Sequence, residues 1–117
     1  MTDWDEAFQR FTDWFADAQA SEPNDPNAMS LASLDPDGWP SVRIVLMKDF
    51  DRDGFVFYTN YGSNKARAMA ANPTVSLLFP WNELDRQVII AGRVEKMTMA
   101  ESASYFVTRP RESQIAA

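Results

Sequence analysis

The chain contains no cysteine and no histidine. The first absence excludes disulfide frameworks, thiol catalysis and cysteine-ligated zinc. The second removes the commonest general base and the commonest metal ligand, so no metal site is expected. Positive charge is also scarce, since 11 Lys plus Arg against 17 Asp plus Glu give a net charge of -6. A phosphate backbone attracts basic faces, so this balance argues against a general nucleic-acid binder and confines any anion site to a local cluster. No apolar run reaches the 18 residues of a membrane span. The N-terminus is acidic and broken by charges, unlike a signal peptide, and the chain reads as cytoplasmic with no membrane partner. Long repeats and low-complexity tracts are missing too. What remains is 117 residues, 45% hydrophobic and 13% aromatic. That is enough for one domain with a genuine but small core, of a size that often leans on a partner.

Trp4, Ala7, Phe8, Phe11, Trp14, Phe15 and Ala18 recur at helical spacing, and Asp3 with Glu6 three residues on resembles an acidic N-terminal cap. Residues 1–20 are therefore read as an amphipathic helix whose aromatic face is core or subunit contact. SEPNDPN, residues 21–27, breaks the period with two prolines and is read as a linker. From Ala28 the pattern changes to short strands between strong turn signals: AMSLASL, the turn DPDG, PSVRIVLMK, the turn DRDG and FVFYT. TVSLLF and RQVIIAGRVEKM supply two more strands. Between them, Ser63 can cap a short helix that Pro73 ends. Thr98 and Glu101 have the form of a capping box, which predicts a further helix carrying Tyr105 and Phe106 towards Arg109. The expected fold is mainly β with flanking helices, a small closed or split antiparallel barrel over residues 28–117.

In RIVLMK, Arg43 and Lys48 bracket the apolar run Ile44, Val45, Leu46 and Met47. Two edge charges in solvent is the plain reading. The sharper one is anion binding: five positions apart in a regular strand, the two cations point to opposite faces and suit two separate anionic groups. Ser63, Asn64 and Lys65 at a helix start combine unpaired N–H groups, a hydroxyl and an ammonium, the elements of a phosphate cradle, although ordinary helix initiation uses the same residues. Tyr58 and Thr59 end a strand, and Gln87 needs partners if it faces inward. Tyr105, Arg109 and Ser113 are spaced four and four, so a continuous helix would carry a phenol, a guanidinium and a hydroxyl on one face.

In order along the chain, RIVLMK, GFVFYTNYGSNKA, NPTVSLLFPWNELDRQVIIAGRVEK and YFVTRPRESQI resemble the pyridoxine (pyridoxamine) 5'-phosphate oxidases, flavin enzymes of the FMN-binding split-barrel fold. The resemblance covers residues 28–115. It implies that Arg43, Ile44, Val45, Leu46, Met47 and Lys48 line an FMN site, that Tyr58, Thr59 and Gln87 contact the cofactor, and that Ser63, Asn64 and Lys65 hold its phosphate. It also implies that Lys48, Tyr105, Arg109 and Ser113 bind the phosphate of the vitamin B6 substrate. Arg43 would then serve one phosphate and Lys48 the other.

Two departures stand out. The family commonly places an arginine before the phosphate-binding lysine, where this chain has Asn64, and it continues beyond SQI through a C-terminal segment that is not found here. The implied reaction oxidises pyridoxine or pyridoxamine 5'-phosphate to pyridoxal 5'-phosphate, with dioxygen as acceptor and no side chain as catalyst beyond the flavin. A non-catalytic flavin-binding barrel, or an oxidase of the same fold acting on another substrate such as a phenazine precursor, are the alternatives. A homodimer is expected, because FMN sites of the family lie between subunits and because Phe8, Phe11, Trp14 and Trp81 need cover.

Overall fold

A computed structural model of the chain describes residues 3–58, 72–96, 104–108 and 115–116, with Tyr58, Lys96 and the last two stretches described through their backbone. Helix α1 (Asp3–Ser21) starts on three acidic residues, Asp3, Asp5 and Glu6, which complement its positive end. Strands β1 (Ala28–Leu34), β2 (Pro40–Asp51), β3 (Gly54–Tyr58), β4 (Thr74–Trp81), β5 (Arg86–Lys96), β6 (Ser104–Thr108) and β7 (Ile115–Ala116) follow.

All pairings are antiparallel, in the order β4-β1-β2-β3-β6-β5-β7, and a further β4–β5 ladder closes the ring. The second edge of β5 is divided, with β6 on Val94–Lys96 and β7 on Ile89 and Ile90. The ring is also interrupted at β2, which pairs with β1 along Pro40–Leu46 and with β3 only from Met47 to Asp51. This is the split antiparallel barrel that the sequence implies. DPDG forms the β1–β2 turn, where the Gly38 amide donates to the Asp35 carbonyl and Gly38 takes φ +85°. That is a left-handed conformation open to glycine at no steric cost.

Alternate residues of each strand fill the barrel: Met29 and Leu31, Val45 and Met47, Phe55 and Phe57, Val75, Leu77 and Phe79, Val88 and Ile90. Helix α1 seals one end. Phe11, with no exposed surface, stands with its ring centroid 5.1 Å from Phe50, 5.2 Å from Phe55, 5.3 Å from Phe79 and 5.8 Å from Trp81. The edge-to-face contacts among these suit aromatic quadrupoles. Arg86 ties the outer side of the helix down, pairing with Asp17 at 3.0 Å and lying 4.6 Å over the Trp14 ring. The aromatic face of α1 is core, so two residues thought to need a partner's cover, Phe11 and Trp81, are already buried within the chain.

Two other expectations change. The 21–27 linker is pinned: the Trp81 indole N–H donates to the Pro26 carbonyl at 2.9 Å, and Glu22 accepts from the Glu83 amide at 2.8 Å. Residues 104–108, expected on a helix, form β6, paired with β3 on one side and β5 on the other. SYFVT is aromatic and β-branched, and two waiting strand edges satisfy more backbone groups than a capping box can. The helix expected from Ser63 lies outside the described residues.

Phe11→Ala would leave a void at the meeting point of helix and barrel. The expected loss of stability is about 3–5 kcal/mol, measured by denaturant unfolding against the unmodified chain.

Candidate functional site

Strand β2 sorts the residues of RIVLMK onto different surfaces. Val45 and Met47 are only 6% and 4% exposed and belong to the core. Their side chains therefore cannot line a cofactor site, and any contribution from them comes through the backbone. Ile44 and Leu46 point the other way, 64% and 50% exposed, with Val42 beside them. Arg43 is paired in register with the buried Leu31, so it shares the interior face with Val45, yet it reaches the barrel's margin and is exposed. It forms no salt bridge with another described residue.

Lys48 breaks the pleat. Met47 is opposite Phe57 and Asp49 is opposite Val56, so Lys48 is an extra residue in a β-bulge. The opposite-face argument for Arg43 and Lys48 assumed a regular strand, and that assumption fails at Lys48. The two cations still occupy different settings, one on an interior-facing position and one on an exposed bulge. Just before the bulge, Met47 is held from β1's leading end: its amide donates to the Asn27 carbonyl at 2.9 Å, and its carbonyl accepts from the Asn27 Nδ2 at 2.9 Å.

Strand pairing gathers part of the set. Met47, Phe57 and Tyr105 occupy one register row across β2, β3 and β6. Tyr105 is in that row, while Lys48 and Tyr58 each follow one of its members along the chain and, because the strands are antiparallel, lie on opposite sides of it. A helix at Tyr105 could not have made this row. Gln87 is elsewhere. It is exposed, not inward, and shares the outer face of β5 with Ile89 while Val88 and Ile90 are buried. Ile89 pairs with Leu78, Leu78 with Ser30 and Ser30 with Ile44, so β5 is three strands, roughly 14 Å along the sheet, from β2. Thr59, Ser63, Asn64, Lys65, Arg109 and Ser113 lie outside the described residues.

The outer face between β2 and β5 is apolar for much of its width, with Val42, Ile44, Leu46 and Ile89 all exposed. Trp39, 71% exposed, extends it at the tip of the β1–β2 hairpin. A concavity runs along α1, bordered by Glu6, Arg10, Asp13 and Arg52. Its carboxylates disfavour a phosphate, and Arg52 is already paired with Asp5. Among the described residues no cluster of acidic side chains can hold a metal, and no helix is long and apolar enough to cross a membrane.

Comparison with known proteins agrees with this architecture. Residues 15–117 match the family described as pyridoxamine 5'-phosphate oxidase. A protein from Rhodopseudomonas palustris (strain BisA53) named pyridoxine/pyridoxamine 5'-phosphate oxidase is 56% identical over 113 residues, which is 97% of this chain and 53% of that one. One of the same name from Brucella anthropi is 52% identical over 117 residues, 100% of this chain and 58% of that one. The chain thus spans about half the length of the curated relatives it matches. Among solved structures, PhzG from Burkholderia lata 383, in complex with tetrahydrophenazine-1-carboxylic acid, superposes with a TM-score of 0.74 at 26% identity, covering 83% of this chain and 50% of that one. The heme storage protein HutZ from Vibrio cholerae shares the fold at a TM-score of 0.68 and 12% identity, over 92% of both chains. On the family match and the identity along nearly its whole length, the chain belongs to the pyridoxamine 5'-phosphate oxidase family.

Proposed function

We propose that this chain binds FMN and forms the cofactor half of an oxidase that converts pyridoxine or pyridoxamine 5'-phosphate to pyridoxal 5'-phosphate with dioxygen. The observation that carries the reading is β2: an exposed apolar strip, Ile44 and Leu46, on a strand that also carries exposed Arg43 at an interior-facing position and exposed Lys48 at the bulge, and whose second edge has no partner strand among the described residues from Pro40 to Leu46. These features suit a ligand that is flat and apolar at one end and a phosphate dianion at the other. Backbone N–H and C=O groups on that edge, which pair with no strand among the described residues, can meet its polar rim.

FMN, when held here, would supply the redox chemistry of this oxidation. The chain's own part is binding and orientation. In this reading Arg43 and Lys65 hold the cofactor phosphate, with Ser63 and Asn64 beside Lys65, while Tyr58 and Thr59 border the flavin. Lys48, with Tyr105, Arg109 and Ser113, holds the phosphate of the substrate. Anchoring a substrate by a group remote from the reacting carbon fixes that carbon in place and removes rotational freedom, an effect of up to roughly 7–11 kcal/mol.

In this reading Gln87 contacts the cofactor bound by a second copy. It stands three strands, roughly 14 Å along the sheet, from β2 of its own chain. It stands on the exposed apolar face that includes Ile44 and Ile89. A homodimer closing that face would bring Gln87 of one copy to β2 of the other and cover the apolar surface in the same step. The likeness to PhzG favours a second reading, an oxidase of this fold acting on a tricyclic amine-containing acid, in which case pyridoxal 5'-phosphate would not bind.

Three measurements test the reading. Lys65→Ala should weaken FMN binding, as followed by flavin absorbance or fluorescence, by the loss of a charge-assisted contact of about 1.5–3 kcal/mol; unchanged affinity would place the phosphate elsewhere. Arg43→Ala should lower FMN affinity and be rescued by excess FMN, whereas Lys48→Ala should spare the flavin spectrum and weaken pyridoxal 5'-phosphate. The assignment of the two phosphates is wrong if Lys48→Ala strips the flavin instead. Ile44→Asp should convert the dimer to a monomer in sedimentation while the far-UV circular dichroism of the folded chain is retained, because residue 44 is exposed in the single chain.

A further inference from the structure

The Asn27 side chain performs a task that its place in a proline-rich connection does not announce. In a regular antiparallel pair Met47 would exchange two backbone hydrogen bonds with its partner. Here the Met47 amide still donates to the Asn27 carbonyl at 2.9 Å, but the chain at residues 25–28 has turned, with the Ala28 amide donating to Asp25. The second ladder bond is supplied by the Asn27 Nδ2 instead, at 2.9 Å from the Met47 carbonyl. Met47 is therefore held on both its polar groups by one residue, and the residue after it is the bulged Lys48. The segment carrying Asn27 is itself fixed, because the neighbouring Pro26 carbonyl accepts the buried Trp81 indole N–H.

We propose that Asn27 is a positioning residue that ends the β1–β2 ladder at Met47, holds the bulge in place and thereby aims Lys48 at its phosphate. The proposal rests on the reading of Lys48 as a contact to the substrate phosphate. A bulge is a point where the ladder is locally disrupted and the strand bends, so the direction of the extra residue depends on what holds its neighbours. A clamp on the preceding residue removes that freedom, and a cation on a long flexible stem gains most from a fixed starting point. Asn is suited to the task because a short planar amide can donate while its own backbone carbonyl accepts.

The experiment is a double-mutant cycle on the full chain with FMN bound, using Asn27→Ala, Lys48→Ala and the pair, read as dissociation constants for pyridoxal 5'-phosphate and for FMN on the same preparations. Asn27→Ala keeps the backbone bond and loses only the amide donor. It should weaken pyridoxal 5'-phosphate on the order of 3- to 10-fold while FMN affinity changes less than about 2-fold. Asn27→Ser, which keeps a short donor, should recover part of the loss. In the Lys48→Ala background the same substitution should have no further effect, because Asn27 acts through the lysine. An equal loss in both backgrounds would overturn the proposal and leave the role of Lys48 standing. If Lys48→Ala leaves pyridoxal 5'-phosphate binding unchanged, or the unmodified chain does not bind it, the reading of Lys48 fails and the proposal falls with it. Should Asn27→Ala not fold, the near-isosteric Asn27→Asp, which lacks the donor, enters the same cycle.

Discussion

A pleated strand has two faces, and β2 has to bury Val45, Met47 and Phe50, which do not share a parity. Much of the architecture follows from how that conflict is resolved. Val45 and Met47 fill the barrel, while Phe50 meets Phe8, Phe11 and Phe15 of the helix. One extra residue between Met47 and Asp49 resets the phase, so that Phe50 turns inward and Asp49 and Asp51 turn out to solvent. The residue placed at the reset is a lysine. An extra residue within a ladder stands outside the regular register and exposed, a setting that a cation tolerates and an apolar side chain does not. Core packing and the placement of a candidate phosphate contact are thus one solution to one geometric problem.

The helix end of the barrel is rigid for a related reason. Phe11 is surrounded by aromatic rings from α1, β2, β3 and β4, and the indoles of Trp4 and Trp81 each donate to a backbone carbonyl, of Arg52 and Pro26 respectively. Each donor satisfies a carbonyl in a connection between elements, so the aromatic cluster also holds the turns in place. The connection after α1 gains its order in this way despite a composition that favours a loose linker. The far end of the barrel, where Ser33, Ser41 and Arg43 share the interior side, is more polar and more open.

The outer face tells a different story from the core. Val42, Ile44, Leu46 and Ile89 leave a broad apolar surface on strands whose other faces bury Val45, Met47, Val88 and Ile90 in the core. A strand that is apolar on both faces is ordinarily covered on both. Here one cover is the barrel's own interior. The other is the surface on which a second copy and a flat ligand are proposed to meet, and the separation of Gln87 from β2 within a single chain has the same explanation.

Strands β1 to β5 and helix α1 were legible in the residues, because period-two and period-3.6 patterns are local and the turns DPDG and DRDG punctuate them. The aromatic stripe of α1 announced a buried face, and the bracketing of RIVLMK by two cations was visible at once. A break in parity between Met47 and Phe50 was also present, and it is the signal that could have exposed the bulge and with it Asn27. What residue patterns could not give was everything that depends on which backbone edges find partners. SYFVT became a strand because β3 and β5 offered two edges; Phe11 and Trp81 needed no second copy because the barrel end received them; Gln87 faced outward because Val88 and Ile90 had claimed the interior. By itself the sequence determined helix α1, strands β1 to β5, their order and the family to which the chain belongs. Tertiary structure alone decided which side chains share a surface, since hydrogen-bond pairing and burial are settled between segments distant in the chain, where local periodicity carries no information.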